Sequence, residues 1–176
     1  MTSASDVRRQ LRARLAEYDG QSVTLLGEAE AACSRDPDYF DALIELAGSR
    51  KGHVPAGATW LIKSALEAGH KASASQADAL VASLPAITGW AAQLHLCQSI
   101  GFLDIPPRHT GFVAHWLEPL LEHERPFVRA WSLDALGHLA RADESLADRF
   151  ETALAAGAKD DRASVRARAR NLAARR

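Results

Sequence analysis

Apolar residues recur along this chain at helical spacing, in short runs cut by glycine, proline and acidic punctuation. Val7, Leu11 and Leu15 predict a first helix to about Glu17, which Ser3 or Ser5 is placed to cap. Asp19-Gly20 ends it, and a second helix runs from about Gln21 to Ser34 through Val23, Leu25, Leu26, Ala29 and Cys33. Pro37, at a plausible first helical position, opens a third over Asp38 to Ala47 with Phe40, Leu43, Ile44 and Ala47 in one stripe. Pro55 opens a fourth, carrying Trp60, Leu61, Ala65 and Leu66 and stopped by Gly69. Ser73 to Gln76 is a polar start for a fifth, and the sixth spans Ile87 to Phe102.

The strongest pattern lies in Trp116 to Ala140. Trp116, Leu117, Leu120 and Leu121 close one helix, and His123-Glu124-Arg125 forms a turn. Pro126 then starts another, where a missing N–H costs little. Phe127, Val128, Trp131, Leu133, Leu136 and Leu139 cover most of its circumference, which predicts a helix buried between neighbours. Asp143 is placed to cap a ninth helix through Leu146, Phe150 and Leu154, and a tenth begins near Arg162 with Val165, Ala169 and Leu172. Period-two alternation never persists, so the expectation is an all-α chain.

The chain also repeats. Val165-Arg166, behind Asp160-Asp161, sits 37 residues after Val128-Arg129. Leu84-Pro85, Trp90, Leu94 and Ile100-Gly101 echo Pro119, Val128 and Leu136-Gly137. Pro119-Leu120-Leu121, Val128-Arg129, Ala135-Leu136-Gly137 and Leu139-Ala140 together resemble a HEAT repeat, with Glu122 and Glu124 where the family's turn carries aspartates. The resemblance is clearest over residues 75–176. It implies a single repeat domain over 1–176, a right-handed α-solenoid of about five antiparallel helix pairs. It also implies that Arg129, which falls among Leu133, Leu136 and Ala140, pairs with acids or carbonyls at a turn. Glu122 and Glu124 are candidates in its own turn, Asp160 and Asp161 in the next.

Composition narrows the function more by exclusion than by assignment. The 176 residues are 47% hydrophobic and 24% charged, which fits a folded chain rather than a disordered one. Cys33 and Cys97 form no CxxC pair, and no apolar run is long enough to cross a bilayer. The amino-terminal stretch has no apolar signal region, so the expected location is the cytoplasm, with no membrane partner. Phosphate-binding and nucleophile-elbow motifs are missing, and the histidines His109, His115 and His123 have no HExxH spacing. No cofactor, metal or catalytic set is therefore expected, and the chain reads as non-enzymatic. Trp90 and Trp131 read as packing residues.

Charge is uneven although the net charge is −1. Basic residues gather at both ends: Arg8, Arg9, Arg12 and Arg14, then Lys159, Arg162, Arg166, Arg168, Arg170, Arg175 and Arg176. Arg162, Arg166 and Arg170 form one stripe of the last helix, while Arg168 and Arg175 flank its other side, with Arg168 read as a rim residue. The stripe suits a solvated cap better than phosphate contacts, since no aromatic or Asn/Gln set accompanies it. The expected function is a protein-binding or scaffold module whose concave face is lined by second helices. Ala130, Asp134, His138 and Arg141 form the polar face of the helix 126–142, and the repeat carries Asp134 and His138 onto Asn171 and Arg175. Asp134, His138, Arg141, Asn171 and Arg175 are the expected partner contacts. Alternatives implied by the resemblance are a nucleic-acid binder related to DNA alkylation-repeat proteins, acting through the arginine-rich ends, and a bilin lyase.

Overall fold

The computed structural model describes residues 4–175, and among these there are ten α-helices and no strand. They are α1 (Ala4–Ala16), α2 (Val23–Cys33), α3 (Tyr39–Ala47), α4 (Val54–Glu67), α5 (Ala74–Ser83), α6 (Trp90–Ser99), α7 (Pro107–Leu121), α8 (Pro126–Ala142), α9 (Ala147–Gly157) and α10 (Ala163–Ala173). Single 3₁₀ turns over Leu84–Ala86, Ile100–Phe102 and Glu144–Leu146 continue α5, continue α6 and precede α9. No helix among the described residues is long and apolar enough to cross a membrane. The amino-terminal cap expected at Ser3 or Ser5 lies outside the described residues.

The punctuation acts locally, as its chemistry requires. Ser73 and Gln76 form a reciprocal cap: the Gln76 N–H donates to Ser73 Oγ, and the Ser73 N–H donates to Gln76 Oε1 at 3.0 Å. Pro126 is the first residue of α8. Two expected starts move. Pro37 lies before the α3 cap at Asp38, so it belongs to the turn rather than the helix. Asp143 accepts from the Ser145 N–H and so caps the 3₁₀ turn, with α9 beginning only at Ala147.

The chain divides into two compact units, residues 1–96 and 97–176, with the division inside α6. In the first, α1 packs on α2, α3 and α4, α3 packs on α4 and α5, and α2 reaches α4. Its core is Leu11, Leu15, Leu26, Leu43, Leu46, Leu61 and Ile62, all fully buried. In the second, α8 packs against α7, α9 and α10, and α9 packs on α10. Val113, Leu117, Val128, Leu133, Leu136 and Leu139 fill the space between them, each large apolar side chain contributing roughly 1.5–3 kcal/mol by leaving water.

As its all-round apolar pattern requires, α8 is central to its unit: Val128, Ala130, Leu133, Ala135, Leu136, Gly137 and Leu139 are buried on several sides. Gly137 is small for a reason. A Cβ there would stand 2.9 Å from Phe150 Cε2, so a bare backbone lets the α9 ring lie against α8. Two aromatic residues depart from the expected packing. Phe127 is 64% exposed, because α8 begins beyond its neighbours' cover, and Trp90, first residue of α6, is 45% exposed.

Candidate partner-binding surface of residues 97–176

Arg129 stands in the second turn of α8, and its guanidinium is used on three sides. Nε and Nη2 donate to the two carboxylate oxygens of Asp160 at 2.8 Å each, a two-pronged pair. Nη2 also donates to Asp161 Oδ1 at 2.9 Å. Nη1 donates to the carbonyl of His123 at 2.8 Å and to that of Glu124 at 3.3 Å. Of the candidate partners, Asp160 and Asp161 are the ones engaged, and the first turn supplies carbonyls rather than the Glu122 or Glu124 carboxylates. The arginine thus ties the α7–α8 turn to the α9–α10 turn. Held by Arg129 and by the Arg162 N–H, the Asp160 carboxyl sits well below the ordinary carboxylate range, at about 2. One repeat on, Arg166 Nη1 donates to the carbonyl of Asp160 at 2.7 Å, the same reach of six residues that Arg129 makes to His123.

The five residues expected to contact a partner separate into two groups. Asp134 does not stand on an open polar face: it is 7% exposed, and Ala130 beside it is buried. Arg168 from α10 covers it, donating from Nη1 to Asp134 Oδ1 at 3.0 Å while its guanidinium lies 3.9 Å from the centre of the Trp131 ring. Arg168 is therefore a half-buried tie between α10 and α8 rather than a free rim residue. His138 Nε2 lies 3.4 Å from Asp134 Oδ2, and Arg141 Nη2 lies 2.8 Å from His138 Nδ1. An arginine donates only, so Nδ1 accepts and the Nε2–H faces Asp134. Gly101 makes room for this ring, since a Cβ there would sit 2.7 Å from Nε2.

Burial alone would raise the Asp134 carboxyl, but the His138 hydrogen bond and the Arg168 charge outweigh it and hold the group below its ordinary value. Asp134, His138 and Arg141 are thus brought together, with Arg168 added, as a chain that runs from buried Asp134 out to exposed Arg141. Asn171 and Arg175 are exposed on or just beyond α10, and no hydrogen bond or ion pair among the described residues joins them to it.

Five arginines of the two basic ends are engaged. Arg8 pairs with Glu45, Arg9 with Asp6, Arg162 with Asp161, Arg166 with a carbonyl and Arg168 with Asp134. No group of His, Cys, Asp and Glu among the described residues is arranged to hold a metal ion. No protein-family model, curated protein or solved structure matches the chain.

A feature not legible in the sequence is a groove of about 520 Å³ between α7 and α9, floored by α8. Ala114, Glu118, Leu121 and Glu122 form the α7 wall, and Asp148, Arg149, Thr152, Ala153, Ala156 and Gly157 the α9 wall. Leu133 and Leu136 form the floor, and the Arg129–Asp160 pair lies at one end with Val165. Arg149 Nη1 reaches Glu118 Oε1 at 3.1 Å, an ion pair that joins the two walls, and Glu118 Oε2 also takes His115 Nδ1 at 2.9 Å. The floor leucines are themselves buried, and Glu118, Glu122, Asp148 and Arg149 give the groove a charged rim.

Proposed function

We propose that this protein is a non-enzymatic, protein-binding module of HEAT-like helical repeats, built as a right-handed solenoid of antiparallel helix pairs. The observation that carries the binding function is the groove between α7 and α9, where Leu121, Ala153 and Ala156 stay at least partly exposed beside a satisfied ionic network. The repeat architecture draws support from Arg129, whose bond to the carbonyl six residues back recurs 37 residues later at Arg166. It also draws support from the packing within each unit. In the first, α1 and α3 pack together and so do α2 and α4; in the second, α8 packs on α10. The docking face of this reading is the groove, since Asp134, on the face first expected to meet a partner, is covered by Arg168.

A photoactivatable residue placed at Thr152 or Ala156, exposed on the groove wall, tests this in the source cell. Discrete cross-linked proteins are expected from these positions and not from the exposed control position Glu28. They should vanish when Ala156→Trp fills the groove. Equal labelling from wall and control positions would refute the assignment of the groove.

A further inference from the structure

We infer that the segment docking in the α7–α9 groove is a short amphipathic helix with lysine or arginine beside its apolar face; this rests on the docking function proposed for that groove. Three features select a helix over an extended chain. Both walls and the floor are helices, with main-chain N–H and C=O groups largely engaged within them, so no sheet edge is offered for an added strand. The α7 wall from Ala114 to Glu122 is about 12 Å long at 1.5 Å per residue, or roughly two turns of an incoming helix. The α9 wall presents Ala153 and Ala156, small residues that let a helical ridge approach closely.

Charge selects the sign of the partner. The two cations lining the groove are committed: Arg149 to Glu118, and Arg129 to Asp160 and Asp161. Glu122 and Asp148 are exposed, one on each wall, and neither has an ion pair or a side-chain hydrogen bond among the described residues. What the rim offers a newcomer is carboxylate. Leucine-type side chains from the incoming helix would cover Leu121, Ala153 and Ala156, while cations on its flanks meet Glu122 and Asp148.

Fluorescence anisotropy of the full chain with three labelled 14-residue synthetic helical peptides tests this. One carries leucine at i, i+4 and i+7 with lysine on both flanks; a second has glutamate for lysine; a third has serine for leucine. The lysine peptide is expected to bind best, to weaken at least about tenfold with Glu122→Lys plus Asp148→Lys, and to weaken similarly with Ala156→Trp. The reversed rim should favour the glutamate peptide. Circular dichroism would confirm that the variants fold. Equal or tighter binding of the glutamate peptide to the unaltered protein would overturn the charge assignment, while loss of that binding in Ala156→Trp would leave the docking groove standing. Binding insensitive to Ala156→Trp, or no binding by any of the peptides, would overturn the inference and the groove's docking role together.

Discussion

Replacing Arg129 with methionine keeps most of the aliphatic stem and removes the guanidinium. The loss comprises two bonds to Asp160, one to Asp161 and two to turn carbonyls. Exposed ion pairs contribute roughly 0.2–1 kcal/mol, whereas breaking a fully buried one costs about 3–5 kcal/mol. The side chains of Arg129 and Asp160 are each 13% exposed, closer to the buried case, but Asp160 keeps the Arg162 N–H as a donor. The expected cost is therefore about 1–3 kcal/mol in the stability of residues 97–176, measured by chemical denaturation. Arg129→Lys should recover part of it, because an ammonium supplies charge without the fork. Arg129→Met combined with Asp160→Asn should reveal a coupling of about 1–2 kcal/mol.

Acid titration gives the same interaction a second signature. The Asp160 carboxyl is depressed in the folded state, so the unfolded chain binds more protons as pH falls. The stabilisation is present above the ordinary carboxylate range near 4 and is lost as pH drops towards about 2. In Arg129→Met that loss should flatten. A variant equal to or more stable than the parent at neutral pH, with coupling under about 0.3 kcal/mol, would refute the reasoning and reduce Arg129 to a misplaced charge.

Arg168→Met should cost about 1–2 kcal/mol in the same assay, because it leaves the Asp134 carboxylate buried without its principal cation. Gly137→Ala should cost about 1–3 kcal/mol by driving a methyl against the Phe150 ring, and a companion Phe150→Leu should relieve it. Leu136→Ala, at a site 2% exposed, should cost roughly 2–5 kcal/mol; less than about 1 kcal/mol would mean that the groove floor is not packed as described. In the other unit, His95 is held neutral, chiefly by burial and further by Lys63, with its folded value lowered to about 4. The unfolded chain then takes up the proton first, so stability should fall between about pH 6.5 and 4, and His95→Gln should flatten that region of a urea-midpoint series.

The parts legible in the sequence were those decided by near neighbours. Ser73 and Gln76 announce their cap, and Pro126 announces the start of α8, because those bonds close within a turn. The α8 pattern correctly implied a helix covered on several sides. Periodicity does not say where cover stops along an axis, so it counts Phe127 in the apolar circumference of α8 and Trp90 as packing although both stand at helix starts and are exposed. At Asp134 the departure has the opposite sense. Its polarity suggests an open face, and only α10, packed on α8, puts Arg168 over it. The 37-residue offset matches Asp134 to Asn171, whereas the contact joins Asp134 to Arg168, 34 residues on. The groove depends on the spacing of α7 and α9, a tertiary quantity that small residues at Ala153, Ala156 and Gly157 permit but do not announce.

The paired reach of Arg129 and Arg166 has a consequence for how the length of such a chain changes. The joint is made by Arg129 and the acid pair Asp160-Asp161, and both components lie within a single 37-residue period of the sequence. A tandem duplication of that period would copy the arginine and its acid pair together. Arg166 already holds its own turn as Arg129 does, and a copied Asp-Asp turn would bring it the carboxylates that Arg129 enjoys. The increment is strict. A period one residue short would swing every later side chain by about 100° around its helix and aim the fork away from its acids.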